Sequence, residues 1–229
     1  MMEVHGRPAI YWVTSAARAA FNVDEVWLAT TTEKRDDVLC EWSRSEGWLA
    51  LFRGSEEDVL DRYYQCALAA KADVVVRLTG DCPLMDPNVL AETVALQHHT
   101  GLPYVSNVDP STYPDGLDVQ VMTMEALRLA WKEATKASDR DAVCSYIERN
   151  RGRFPSVNLV CPIPGISNKR WVLDTDDDLR FIREVMKETK NISYLGILET
   201  LRIYPELGDI NKQWTRNERY FAKIAKEYT

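Results

Sequence analysis

Asp73-Val74-Val75-Val76-Arg77-Leu78-Thr79-Gly80-Asp81-Cys82-Pro83 is the stretch on which the fold turns. Its first half is β-branched with no polar alternation before Arg77, the pattern of a strand covered on both faces. Glycine and proline then stop the strand, and a helix is expected from about Pro87 to His98. Upstream, Pro8 to Ala20 suits a helix, with Pro8 in its first turn and Ile10, Trp12, Val13 and Ala17 along an apolar stripe. A strand over Glu25–Thr30, a helix over Lys34–Glu46 and a short strand over Trp48–Phe52 follow. Ser55-Glu56-Glu57-Asp58 reads as a capping box opening a helix that runs to about Lys71. Its repeat of Val59, Leu60, Tyr63, Tyr64, Ala67 and Leu68 is read as core packing. Strand and helix alternating in this way predict an α/β fold with a parallel sheet covered on both faces.

Downstream the rhythm breaks. Tyr113-Pro114-Asp115-Gly116 is turn chemistry, and the alternation of Leu117-Asp118-Val119-Gln120-Val121-Met122 predicts a β excursion. Helices near Met124–Thr135 and Arg140–Arg151, strands over Val157–Cys161 and Arg170–Leu173, and a helix over Asp176–Thr189 complete the expected core. Tyr194–Tyr204 and Thr215–Tyr228 read as peripheral helices within residues 190–229. No repeat or linker divides the chain, so one domain is expected over residues 1–229.

Composition narrows the class of function. The 229 residues are 45% hydrophobic and 28% charged, which describes a globular protein. Lys and Arg number 28 against 35 Asp and Glu, and the formal charge of −7 argues against a nucleic-acid partner. No apolar run is long enough for a membrane span, and Met1-Met2-Glu3-Val4-His5-Gly6 does not resemble a leader, so a cytoplasmic protein is expected. Cys40, Cys66, Cys82, Cys144 and Cys161 are odd in number and scattered, which reads as reduced thiols.

Ligands of open α/β sheets collect beyond the carboxyl ends of strands, so polar residues there carry most information. Asp81 is such a residue: either a hard oxygen donor in the crevice or the cap of a turn before Pro83. Asp174 is another. Thr175 and Asp178 form a capping box that, with the helix dipole, explains Asp176, Asp177 and Asp178, but it does not explain Asp174. Two such carboxylates suit a Mg2+ ion held against a triphosphate. Asp115 and Asp118 either bond local backbone or accept the hydroxyls of a polar substrate. Arg140 either clamps an anion or belongs to an ordinary charged helix start. His98 and His99 end a helix and read as surface residues.

Four ordered segments carry a resemblance: Phe52 to Tyr64, Arg77 to Pro83, Tyr113 to Val119, and Arg170 to Thr175 with Asp178-Leu179. Together they resemble the cytidylyltransferases of the spore-coat polysaccharide type, relatives of the enzymes that make CMP-Kdo and CMP-sialic acid, from about Gly6 to Lys187. The resemblance implies a Rossmann-like nucleotidyltransferase fold of three α/β/α layers with a mixed, mainly parallel sheet. It also implies a homodimer and transfer of CMP from CTP to an anionic sugar or related acid, with release of pyrophosphate. Asp81 and Asp174 would be the catalytic pair that holds Mg2+. Arg77, Thr79, Gly80 and Cys82 would border the nucleotide, and Tyr113, Asp115, Asp118 and Arg140 the acceptor. The family opens with a strand and a loop resembling Gln-Ala-Arg-x-x-Ser-x-Arg-Leu-Pro-Gly-Lys; neither is seen here, and Gly6-Arg7-Pro8 stands where that loop would just have ended. The expectation is a start set too late; the alternative is a degenerate form that binds CTP poorly. Ala142 stands where relatives commonly carry histidine. Two further functions remain open: a glycosyltransferase using Asp174-Thr175-Asp176 as a D-x-D metal motif, and a catalytically silent dimeric binding or scaffold protein.

Overall fold

A computed structural model describes residues 1–216. The first strands, β1 (Glu3–Val4) and β2 (Arg7–Pro8), form a small antiparallel hairpin that leads into α1 (Ala9–Ala19). Then come β3 (Trp27–Thr31), a 3-10 turn at Lys34–Asp36, α2 (Asp37–Glu46), β4 (Ala50–Gly54), α3 (Val59–Ala70) and β5 (Val74–Arg77). The middle of the chain contributes α4 (Pro87–Thr100), β6 (Tyr104–Ser106), β7 (Gln120–Thr123) and α5 (Met124–Glu133). It continues with α6 (Ala137–Asp141), α7 (Ser145–Arg149), β8 (Ser156–Asn158), α8 (Asp176–Glu188) and α9 (Tyr194–Ile203).

β3 pairs in parallel with β4, and a four-stranded sheet has the order β5-β7-β6-β8. Because β7 is antiparallel to both β5 and β6, and β8 is parallel to β6, three of these strands run one way and β7 alone opposes them. This is the mixed α/β architecture expected of a Rossmann-like nucleotidyltransferase. Alternation along the sheet sorts the core into two layers. Val105 and Val121 face a cluster with Leu84, Leu90, Phe181 and Ile182. Tyr104 and Met122 face the opposite cluster, with Leu60, Leu127 and Ile147.

Local chemistry sets several element ends differently from expectation. Asp58, not Ser55, caps α3, accepting from the Asp61 amide at 2.9 Å, while the Ser55 hydroxyl accepts from the Asp58 amide and shapes the preceding turn. The expected Arg140–Arg151 helix is divided into α6 and α7, and Val143 between them has φ 39. The expected strand over Arg170–Leu173 is reduced to one parallel bridge between Asp115 and Arg170. β6 is a strand that no sequence pattern announced. The capping box at Thr175–Asp178 is present with both of its hydrogen bonds. Of the two expected C-terminal helices, the first is α9; the second, over Thr215–Tyr228, lies outside the described residues apart from its first two positions. All five cysteines are free and buried. No helix among the described residues is long and apolar enough to cross a membrane.

Candidate active site

Three segments far apart in the chain are joined by main-chain hydrogen bonds at the carboxyl end of β5. The Leu173 amide donates to the Asp81 carbonyl at 2.7 Å, which sets Asp174 next to Asp81. The Asp115 amide donates to the Lys169 carbonyl at 2.9 Å, and the Trp171 amide donates to the Asp115 carbonyl at 2.7 Å. Gly116 makes that approach possible: its φ is +102, and a Cβ there would stand 2.7 Å from the Trp171 carbonyl. The turn at 113–118, the strand end at 79–83 and the segment at 170–178 thus form one rigid floor.

Arg170 is the centre of that floor, a position that the sequence reading did not single out. Its guanidinium is 6% exposed and forks onto Asp178, Nε to Oδ1 at 2.9 Å and Nη2 to Oδ2 at 3.0 Å. Nη2 also reaches Asp174 Oδ2 at 2.9 Å, and Nη1 reaches Asp115 Oδ2 at 3.4 Å and the Thr215 carbonyl at 3.0 Å. Asp178 is fully buried and holds the segment in shape, accepting from the amides of Asp174 and Thr175 and from the Asn211 side chain. Burial alone would raise its pKa, but the hydrogen bonds from Arg170 and Asn211 outweigh burial and hold it below the usual carboxylate value. The only sequence signal for this role was the i, i+4 spacing of Arg170 and Asp174, which is also ordinary surface chemistry.

Arg216 closes the floor from the C-terminal side. It pairs with Asp118 and donates to the Tyr113 carbonyl at 3.1 Å. Burial pushes Asp115 up to about 6, with Arg216 and Arg170 opposing it and the nearby Asp118 and Asp174 charges adding to it. Asp118 is displaced upward for the same first reason, again against Arg216.

On the other flank, Arg77 donates to Gln120 Oε1 at 2.6 Å. The Gln120 amide in turn donates to the Tyr104 hydroxyl at 2.8 Å and to Glu148 at 2.9 Å, which fixes the Arg77 fork from behind. Thr79 Oγ1 and Cys82 Sγ are 3.2 Å apart, and Cys82 Sγ is 3.5 Å from Asp81 Oδ1. Burial, reinforced by Asp81 and Asp118, lifts the Cys82 thiol well above its ordinary pKa, so it stays protonated and supports its neighbours.

The structure therefore gathers Arg77, Thr79, Gly80, Asp81 and Cys82 with Asp115, Asp118 and Asp174. Tyr113 and Arg140 behave differently from expectation. The Tyr113 ring is 1% exposed and packs edge-on against Tyr194, so core packing takes the place of an outward-facing phenol. Arg140 forks onto Asp58, with Nε at 2.9 Å, and caps the Trp131 carbonyl at 2.6 Å; these bonds tie α6 to α3 and α5 and reach no other expected site residue. Asp81 and Asp174 are hard oxygen donors from adjacent backbone, a set that suits a divalent cation completed by phosphate and water oxygens.

Comparison with known proteins gives a consistent picture. Residues 1–202 match the family described as Cytidylyltransferase. The chain is 38% identical over 188 residues to the spore coat polysaccharide biosynthesis protein SpsF of Bacillus subtilis, covering 80% of this chain and 77% of that one. It is 31% identical over 150 residues to a 3-deoxy-manno-octulosonate cytidylyltransferase of Acidobacterium capsulatum, covering 62% of this chain and 58% of the relative. The fold is similar to the solved structure of a cytidylyltransferase from Leptospira borgpetersenii, with a TM-score of 0.85 at 24% identity, over 90% of this chain and 87% of the other.

Proposed function

The chain belongs to the cytidylyltransferase family, and from that premise we propose that it transfers CMP from CTP to an anionic sugar or related acid, releasing pyrophosphate, in surface polysaccharide or glycan biosynthesis. The observation that supports the reading is the Leu173–Asp81 main-chain bond, which brings the backbone just before Asp174 onto that of Asp81, although the two acids stand 93 positions apart in the chain, 174 against 81. Asp81 and Asp174 would hold Mg2+, which supplies charge neutralisation on the phosphates when bound.

An acceptor hydroxyl oxygen forms a bond to the α-phosphorus of CTP while the bond from that phosphorus to the bridging oxygen breaks, and pyrophosphate leaves with the electron pair. Such a displacement needs alignment and charge stabilisation more than a nucleophilic side chain. Arg77, locked by Gln120, presents a fixed cation to the phosphates. Thr79 and Gly80 border the nucleotide, and Cys82 positions Thr79 and Asp81. Asp115 and Asp118 face the acceptor hydroxyls, with Arg216 as the nearby cation for its acid group. A cytoplasmic homodimer is part of the same reading.

The test is pyrophosphate release by the protein incubated with Mg2+, CTP and a panel of hydroxylated sugar acids, with UTP and ATP as controls. Release that requires both CTP and an acid acceptor is expected. Nucleoside diphosphate released from a nucleotide sugar would instead favour the glycosyltransferase, and the absence of saturable heat with CTP and Mg2+ would favour the silent binding protein.

A further inference from the structure

Arg77, Gln120 and Tyr104 stand on three adjacent strands, β5, β7 and β6, and on one face of the sheet. Glu148 reaches that face from α7. The chain turns between α6 and α7 at Val143, which is fully buried and has φ 39, a backbone conformation that β-branched residues rarely adopt. Arg149, next to Glu148, pairs with the buried Asp139 of α6 and ties the short helix down.

These four side chains form a hydrogen-bond relay whose direction is fixed at both ends. The Arg77 guanidinium offers only hydrogens, and the Glu148 carboxylate offers only acceptor oxygens. Glu148 Oε1 accepts the Tyr104 hydroxyl hydrogen at 2.6 Å and one Gln120 amide hydrogen at 2.9 Å. The other Gln120 amide hydrogen goes to the Tyr104 oxygen at 2.8 Å, so Gln120 Oε1 faces Arg77 Nη1 and accepts from it at 2.6 Å. Gln120 and Tyr104 are buried. Turning the amide over would set its nitrogen against the guanidinium and its oxygen against the carboxylate, leaving buried polar groups without partners.

The link matters because Arg77 has little else to hold it. Among the described residues the Gln120 bond is its one side-chain hydrogen bond, and its Nε is buried without a partner. Asp81 and Asp118 act on it from beyond ion-pair distance. A carboxylate placed directly on the guanidinium would hold it as firmly but would cancel much of its field. A neutral amide between the two charges holds the cation and moves the compensating charge one residue back. We propose that Glu148 is a positioning residue of the transfer reaction: acting through Gln120, it holds Arg77 for the phosphates of CTP while leaving that cation without a direct counter-ion. The role rests on the CTP-transfer reading.

The test is calorimetry of CTP with Mg2+, alongside the denaturant midpoint of each variant. The decisive variant exchanges the two side chains, Gln120→Glu together with Glu148→Gln. It keeps their shapes and every hydrogen bond of the relay but puts the carboxylate directly on Arg77. Its midpoint is expected to hold or rise while CTP binding weakens about tenfold. Glu148→Gln alone keeps an acceptor oxygen and is expected to bind CTP within about threefold of the unaltered protein. Glu148→Ala is expected to weaken binding about tenfold, and Arg77→Ala with Glu148→Ala no further than Arg77→Ala alone. The role is overturned if the exchanged variant binds CTP as tightly as the unaltered protein or loses its midpoint, or if the Arg77 and Glu148 losses add. Absence of CTP binding in the unaltered protein would overturn the transfer reading and this role with it, whereas CTP binding that ignores every one of these variants would overturn this role alone.

Discussion

The two edges of β5 meet opposite circumstances. Towards β7 and the floor at 79–83, 113–118 and 170–178, buried polar groups are held in mutual hydrogen bonds, with Arg170 and Asp178 answering one another across the segment. Towards β3, the edge borders a cavity, and three residues of its lining, Asn22, Arg62 and Arg77, each have one buried side-chain atom without a hydrogen-bond partner. One edge is preorganised by hydrogen bonds within the chain; the other has no strand partner among the described residues. On the proposed function, the first region supplies preorganised charges for the transfer, while the second lacks such a network among the described residues.

The sharpest way to break this contrast is Arg170→Ala. Removing the guanidinium leaves Asp178 buried without its cation and takes one of two nearby cations from Asp115, and a loss of about 3–5 kcal/mol in unfolding free energy is expected, read from the denaturant midpoint at constant m-value. A loss below about 1 kcal/mol would mean that the floor is not held by this network.

Next in size is a pH effect. Asp115 has a reference pKa of 3.8 and is pushed up to about 6 in the folded protein. Between those values the folded state holds a proton that the unfolded state has lost, so stability falls as pH rises from about 4 to about 6 and is flat above. The full displacement corresponds to at most about 3 kcal/mol. Asp118 shifts in the same direction and adds to the slope, whereas Asp178, displaced downward, loses its contribution only below its unfolded value of 3.8. Denaturant midpoints from pH 4 to pH 7 should therefore show a shallower slope for Asp115→Asn than for the unaltered protein, and an unchanged slope would remove Asp115 as its source.

The smallest effect compares register partners on one ladder. Val76 lies opposite Val121, yet Val121 is fully buried while Val76 is half-buried and lines the cavity. Val121→Ala should cost about 1 kcal/mol more than Val76→Ala in denaturant unfolding. Equal costs would mean that β5 is packed as tightly at Val76 as β7 is at Val121.

Much of this was legible before any coordinates. The β-branched run of β5, the proline opening α4, and the capping box of α8 are local signals and gave the elements they announce. β6 carries only three residues between Pro103 and Asn107, too few for a period. Asp58 and Ser55 are both good caps within one tetrapeptide, and only the backbone path selects between them. Asp174 could be singled out because capping left it unexplained, but the main-chain bond from its neighbour Leu173 to Asp81 is non-local and had no sequence signal. Arg170 and Arg140 show the limit most clearly. Arg170 was not singled out and Arg140 was expected at the acceptor, while their partners, Asp115 and Asp58, lie 55 and 82 positions away.

The most direct test of the carboxylate pair is calorimetry of CTP binding with and without Mg2+, on the unaltered protein, Asp81→Asn and Asp174→Asn, each variant first matched to the unaltered protein in denaturant midpoint. The account predicts saturable, Mg2+-dependent binding that both substitutions abolish while the midpoint is retained. Undiminished Mg2+-dependent CTP binding in both variants would contradict it.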